Sequence, residues 1–449
     1  MSLDRREFLL TLAAGTAFPA VVKASPWRVG LATIDITPPP GLWMGGYAAR
    51  KEPALGAAQP LHAKAMAVAD AGGHRAVIVT IDVLGLTASV VERIAKAARR
   101  QYGLPREGLL LCSSHTHSGP IINDQLAVAY DLAPAQWNDI RKSTARIEEQ
   151  VISVIGRALR SMQPAGLRWA QSSAGFAANR RTAINPDGPV DHAVPVLLIE
   201  RGDGTLAGVV FGYACHNTTL PASFVQYHGD YAGVATAELE RRHPGATALF
   251  IAGCGADANP QPRGTIELAE QHGRTLADAV DSALGAATEV QGRLRTAFAS
   301  VSLAYAPAPG ADAWRRKLED ENVYVRRHAQ MMLDVIARDG RTPSAEPAPL
   351  HVLRIGTLSL VAISGEVVVD YALAIKRKYG DGTWVAGCTD TVFGYLPSAR
   401  VLREGGYEGG GAMLYYGRPG PFADTVEATL MTGIDSLMAA TGAGTVARS

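Results

Sequence analysis

AVIVTIDVLGLTASVVERIAKAARRQYGLPREGLLLC, residues 76–112, decides the fold class. The run over 76–82 is mostly apolar and β-branched, which predicts a strand. The apolar spacing over 89–102 predicts a helix, and a second strand follows over 109–112. On either side of this stretch, strands are expected over 28–36, 63–69, 196–200, 208–213 and 248–252, and helices over 140–162, 234–242 and 266–284. Such alternation favours a layered α/β domain, a mixed sheet with flanking helices. A charged helical stretch over 311–338 precedes TPSAEPAP, 342–349, the most linker-like segment of the chain. Strands over 350–355 and 358–363 and a helix after Glu366 return to the same core, so 25–449 is read as a single catalytic domain without internal repeats. REGGYEGGGA, 403–412, is dense in glycine and is expected to be a flexible or substrate-covering loop.

The chain has 449 residues, 47% hydrophobic and 19% charged, a composition that excludes long disorder, collagen-like repeats and a polytopic membrane protein. Lys+Arg 43 against Asp+Glu 42 leaves a formal charge of +1, without the basic footprint of a nucleic-acid binder. Cys112, Cys215, Cys254 and Cys388 lie far apart with no CxxC spacing, which excludes a zinc ribbon or thioredoxin-like centre and leaves one or two disulfides open. Residues 1–24, MSLDRREFLLTLAAGTAFPAVVKA, pair Arg5 and Arg6 ahead of an apolar run too short to span a bilayer. They read as a twin-arginine-type export signal, with the mature chain starting near Ser25 and a periplasmic or secreted location. The other reading, an uncleaved anchor, lacks a following stop-transfer pattern.

SSHTHSGP, 113–120, follows an apolar strand and spaces His115 and His117 two apart. On a strand the two side chains would share a face. An isolated pair of this kind serves equally as a metal or catalytic pair or as two histidines satisfied by hydrogen bonds. His216, in FGYACHNTTL, ends a second apolar run, and Glu366, in LVAISGE, ends a third. Two imidazoles and a carboxylate suit catalytic zinc, which keeps an open position for water. Alone, Glu366 is also an ordinary first-turn helix acid. Asp230 and Asp257 are expected either to orient ligating histidines or to cap the helices that follow them, with capping preferred for Asp257.

Taken in order, VGLATIDITPPPGLWMGGYA (29–48), SSHTHSGP, NRRTAINP (179–186), GYACHNTTL (212–220), HGDYAG (228–233), SGE (364–366) and GYLPSARVLREGGYE (394–408) resemble the neutral/alkaline non-lysosomal ceramidases. The resemblance runs from about residue 29 to about residue 410. It implies a zinc-dependent amidohydrolase that cleaves the N-acyl amide of ceramide or a ceramide-like lipid. The family's ligands fall on His115, His216, Glu366 and Tyr395. Its proton-transferring histidine falls on His117, and its site arginine and second tyrosine on Arg180 and Tyr407, which would stabilise the oxyanion.

Two departures matter. Where the family carries a GDVSP-like segment, this chain reads GADANP with Asn259, so no serine nucleophile is assigned. The family's following immunoglobulin-like domain is not expected here. These departures open a second reading, in which the same site acts on another amide or ester, and they limit any membrane contact to a peripheral one. A third reading, a non-catalytic exported binding protein, sits poorly with retention of the whole residue set. The donor set also suits other divalent ions.

Overall fold

A computed structural model describes residues 27–445; the expected export signal over 1–24 lies outside them. In chain order the first half runs β1 (Trp27–Asp35), β2 (His62–Asp70), β3 (Arg75–Ile81), α1 (Ala88–Tyr102), β4 (Leu109–Ser113), α2 (Pro134–Arg160), β5 (Gln163–Ser173), β6 (Ala177–Asn179), β7 (Ala193–Glu200), β8 (Leu206–Tyr213), α3 (Asp230–Arg242), β9 (Thr247–Ala252), β10 (Ala258–Pro260) and α4 (Ile266–Ala283). The second runs β11 (Thr288–Glu289), β12 (Leu294–Ala304), α5 (Ala311–Arg316), α6 (Val323–Asp339), β13 (Ala345–Ile355), β14 (Leu358–Ser364), β15 (Glu366–Val367), α7 (Val369–Tyr379), β16 (Trp384–Thr389), β17 (Tyr395–Leu396), α8 (Ala399–Glu404) and α9 (Val426–Ala440).

Among the described residues one large mixed sheet runs β12-β13-β14-β16-β4-β3-β2-β1-β5-β7-β8-β9, with β11 on β5. Its parallel pairs are β3 with β4, β8 with β9 and β14 with β16. Each pair is joined by a crossover helix, α1, α3 and α7 in turn, as parallel strands require. The candidate residues sit just beyond strands of these three units: His115 and His117 after β4, His216 after β8 and Glu366 after β14.

Alternation along the strands sets the layers. Ala63, Ala65, Val77, Val79, Leu109 and Leu111 face α1 and α2 through Ile94, Val151 and Ile155. On the opposite face, Met66, Ile78 and Leu110 share a core with Leu197, Val210, Leu249 and Ile251 of β7–β9. The outer face of β7–β9, with Val196, Phe211 and Phe250, is covered by Tyr231 and Leu239 of α3 and Leu276 and Val280 of α4. The sheet therefore folds over on itself, helix layer outside sheet on both sides, and a Gly253–Ala386 bridge ties the two arms together. Helices α7 and α9 cover β13 and β14.

Two readings are corrected. The linker-like 342–349 is largely strand, because β13 begins at Ala345 and pairs with β12 along its full length. Strand β14 reaches back only to Leu350, so Pro347 and Pro349 lie where β13 has one neighbour, the place where a sheet tolerates proline. The charged stretch over 311–338 is not one helix but α5 and α6, and Asn322 caps the second by accepting from the Tyr324 N–H at 2.9 Å. All four cysteines are buried and free. No helix of the described residues is long and apolar enough to cross a membrane.

Candidate metal centre and active site

The histidine pair does not share a strand face. Strand β4 ends at Ser113, and His115 adopts a left-handed backbone, φ +62°, before Thr116 bridges to Asn217 beyond β8. This turn, rather than strand pleating, brings the two rings edge to face at 5.0 Å. The His115 amide donates to the Val83 carbonyl at 3.0 Å, and the His216 amide to the Ala258 carbonyl at 3.0 Å, so each histidine is held by main chain. The His115 and His216 rings then lie 4.8 Å apart.

Each of those rings has one nitrogen committed. His115 Nδ1 lies 2.7 Å from the Leu84 carbonyl and His216 Nδ1 lies 2.8 Å from the Gly255 carbonyl. A carbonyl only accepts, so Nδ1 carries the proton and Nε2 presents its lone pair to the site. Those lone pairs meet Glu366 Oε2 at 3.2 and 3.1 Å, and the Tyr395 hydroxyl lies 3.2 Å from His216 Nε2. A carboxylate oxygen set between two imidazole nitrogens needs positive charge beside it, which a bound cation or a second proton on His115 supplies; burial works against a charged His115, yet Cys388 and Glu366 raise it well above the usual imidazole value. Ligand atoms on a tetrahedron of 2.0–2.1 Å radius stand about 3.3 Å apart, so two imidazoles, a carboxylate and a phenol at these spacings fit a divalent cation. All of these side chains are buried. Burial works against a charged Glu366, yet His115 and His216 pull its carboxyl well below the usual range. His216 is pushed down to about 4, by burial first and by Arg180 second.

His117 differs from its neighbours. Both its ring nitrogens are buried without a partner. Burial, then the nearby His115 and His216, keep it well below the usual imidazole value, which favours its neutral form. The ring packs 4.8 Å from Tyr47, and a Cβ on Gly46, at φ +98°, would come within 2.4 Å of its Nδ1. Buried Arg50 donates to the His117 carbonyl at 2.9 Å. The nearest ligand nitrogens of His115, His117 and His216 lie within 4.8 Å of one another.

The facing wall is built from later strands. Gly365, at φ +84°, turns the chain out of β14, and Glu366 pairs in register with Tyr395 in the short parallel β15–β17 ladder. Tyr416 donates its hydroxyl to Glu366 Oε1. Arg180, just past β6, donates Nη2 to the Tyr395 hydroxyl at 2.9 Å and Nε to Glu408 at 2.7 Å, and its backbone N–H to the Asp257 carbonyl at 2.8 Å. Tyr407, 46% exposed, sets its ring 5.2 Å from Tyr395 with the Arg180 guanidinium 5.8 Å away. His117, Glu366, Tyr395 and Tyr407 all open on one cavity of about 210 Å³, whose other walls are Leu84, Leu126, Ala129 and the backbone near Ala48.

Thus His115, His117, Arg180, His216, Glu366, Tyr395 and Tyr407 converge on one site. Asp257 does cap a helix, though not α4 that follows it: its Oδ1 accepts from the Val369 N–H at 2.9 Å, at the start of α7. Asp230 accepts from the Leu220 and Tyr231 amides rather than from a site histidine. Sequence reasoning missed Arg50, Glu408 and Tyr416. Glu408 stood beside Tyr407 inside a quoted fragment, and its acidic side chain next to a glycine run was the one signal for it.

Residues 27–260 match the neutral/alkaline non-lysosomal ceramidase family in its N-terminal part. The neutral ceramidase of Pseudomonas aeruginosa is 26% identical over 250 residues, covering 52% of this chain and 37% of that protein. A neutral ceramidase of Oryza sativa subsp. japonica is 33% identical over 103 residues, 22% of this chain and 13% of that one. The chain therefore aligns with well under half the length of these relatives. The solved neutral ceramidase of Pseudomonas aeruginosa shares the fold at TM-score 0.72 and 18% identity, over 95% of this chain and 76% of that one. A ceramidase complexed with C2 does so at TM-score 0.74 and 19% identity, over 95% and 77%.

Proposed function

This chain belongs to the neutral/alkaline non-lysosomal ceramidase family, and we propose that it is a zinc-dependent amidohydrolase cleaving the N-acyl amide of ceramide or a ceramide-like lipid to a fatty acid and an amine. The observation that carries the reading is the pair of Nε2 nitrogens set against Glu366 at 3.2 and 3.1 Å, with partnerless His117 beside them. His115, His216, Glu366 and Tyr395 would hold the zinc, which supplies a Lewis acid and acidifies water. His117 takes the proton of the water that attacks the amide carbonyl and returns one to the departing amine. Arg180 and Tyr407 meet the negative charge that develops on the carbonyl oxygen. Arg180 Nη1 is available for this, since its one contact is Asn259 at 3.5 Å. Asn259 carries no nucleophile, so water remains the attacking group. The grouping of the three histidines supports a second arrangement in which His117 is itself a ligand.

The substrate reading has a rival. A cavity of about 210 Å³ falls below the ~300–1,000 Å³ of a drug-sized pocket, which favours a smaller amide or ester, or a lipid whose chains remain largely outside. Hydrolysis of a matched series of short- and long-chain N-acyl sphingosines and simple N-acyl amines by the purified mature protein tests this. Long-chain preference would support the ceramide reading; turnover of the simple amides alone moves the substrate and keeps the chemistry; no turnover favours a binding protein. We also propose export to the periplasm or medium, supported by Arg5 and Arg6 ahead of the apolar run, with membrane contact at most peripheral. Cell fractionation tests the location, and a cytoplasmic protein would contradict it.

A further inference from the structure

We infer that Glu408 is a positioning residue that sets both Arg180 and the Tyr407 loop for the reaction, with Arg181 fixing it from behind; the inference rests on the roles proposed above for Arg180 and Tyr407. The Glu408 carboxylate, 5% exposed, is divided between two guanidiniums: Oε1 accepts from Arg180 Nε at 2.7 Å and Oε2 from Arg181 Nη1 at 2.7 Å. Arg181 is buried and also donates Nη2 to Glu404 Oε2 at 3.0 Å and to the Gly405 carbonyl at 3.1 Å. Both arginines of the NRR triplet therefore anchor on residues 404–408, more than two hundred positions away in sequence.

The anchorage has a geometric consequence. A guanidinium is planar, so holding Nε on Glu408 and Nη2 on Tyr395 fixes the plane and with it the direction of Nη1. Nη1 is the remaining edge, bound at 3.5 Å to Asn259, and it is the one free to meet an oxyanion. Without Glu408 the plane would be held only by Tyr395 and by the long Asn259 contact.

The same carboxylate restrains the loop. Glycines at 405, 406, 409, 410 and 411 surround Tyr407 and Glu408, and Gly405, Gly406 and Gly410 take positive φ values of 69°, 77° and 153°. Backbone of this kind orders at high conformational cost and needs a tether. Tyr407 is half-exposed, so its ring supplies little; Glu408, the adjacent buried side chain, supplies the tether. Arg180 draws Glu408 below the usual carboxyl range against the effect of burial, in keeping with an ionised carboxylate held between two cations. One buried carboxylate thereby links the oxyanion arginine to the loop tyrosine.

Glu408→Gln tests the inference because it keeps the shape and removes the charge. On whichever amide the wild type hydrolyses, kcat is expected to fall roughly 10- to 100-fold with KM within about threefold and metal content unchanged. In an Arg180→Ala background the same substitution should cost several-fold less than in the wild type, on the order of threefold, since only the Tyr407 loop is left to position. Equal losses in both backgrounds, or kcat within about twofold of wild type in the single variant, would overturn the inference. Arg181→Lys, which keeps the charge but loses the forked contact, should show a smaller fall in kcat and covers the case in which Glu408→Gln fails to fold. Trypsin cleavage after exposed Arg403 reads the loop without catalysis. If the wild type hydrolyses no amide, the functional reading fails, while faster cleavage in Glu408→Gln would still support the tether and unchanged cleavage would refute it.

Discussion

The rings of His115 and His216 are oriented by main-chain carbonyls, whereas the side chains of Glu366 and Tyr395, which face them from the β15–β17 ladder, are oriented by other side chains. The histidine nitrogens that point away from the site end on the Leu84 and Gly255 carbonyls. Glu366 is held by the Tyr416 hydroxyl, Tyr395 by Arg180, and Arg180 by Glu408. The first wall comes from residues 27–260, the part that matches the family; the carboxylate and tyrosines of the second come from beyond it. The histidine wall is thus fixed once the strand ends form, while the side chains of the facing wall can be adjusted one contact at a time. Substitutions should therefore be all-or-none on one side and graded on the other.

The sharpest break would come at His216. His216→Ala should abolish stoichiometric zinc and lower kcat/KM by roughly a thousandfold or more, read by metal analysis and kinetics on the same preparation. A variant that keeps both would show that this wall does not hold the ion. Gly46→Ala is next, since its Cβ would lie 2.4 Å from His117 Nδ1 at a φ of +98°. It should lower kcat on the order of a hundredfold with zinc retained, because it displaces His117 without touching His115, His216, Glu366 or Tyr395. Loss of zinc along with activity would instead place His117 among the ligands. Tyr416→Phe removes one hydrogen bond to Glu366 and probes the graded wall. About a tenfold faster loss of zinc to a chelator is expected, with the fold intact; an abrupt loss of all metal would erase the contrast between the walls.

Legibility in the sequence follows the same division. His115, His117 and His216 each close an apolar run, and Glu366 closes another, so local pattern alone located them. Arg180, Tyr395 and Tyr407 were reached through resemblance, because an arginine or tyrosine in a loop looks alike whether it is structural or catalytic. Arg50 and Tyr416 had no such route, and Glu408, though inside the 394–408 stretch that carries the resemblance, had only its place beside a glycine run. That a buried charge is balanced by a partner more than two hundred residues away, as Glu408 is by Arg180, cannot be read from the residues around it.

The fold shows a parallel limit. The strand–helix–strand alternation was readable, but the folding-over of the sheet was not, since a strand covered on both faces reads the same whichever layers cover it. The left-handed turn at His115 was hidden for another reason: few residues other than glycine adopt it, and nothing in SSHTHSGP marks the position that does. Prolines disguised the start of β13 because a linker and a strand with one neighbour tolerate them alike.

X-ray absorption at the zinc edge of the purified protein tests most directly whether the two walls share one ion. The account predicts about one zinc per chain with two imidazoles and two oxygen ligands from protein at roughly 2.0–2.2 Å, plus at most a water. Three imidazoles, or no stoichiometric zinc at all, would contradict it.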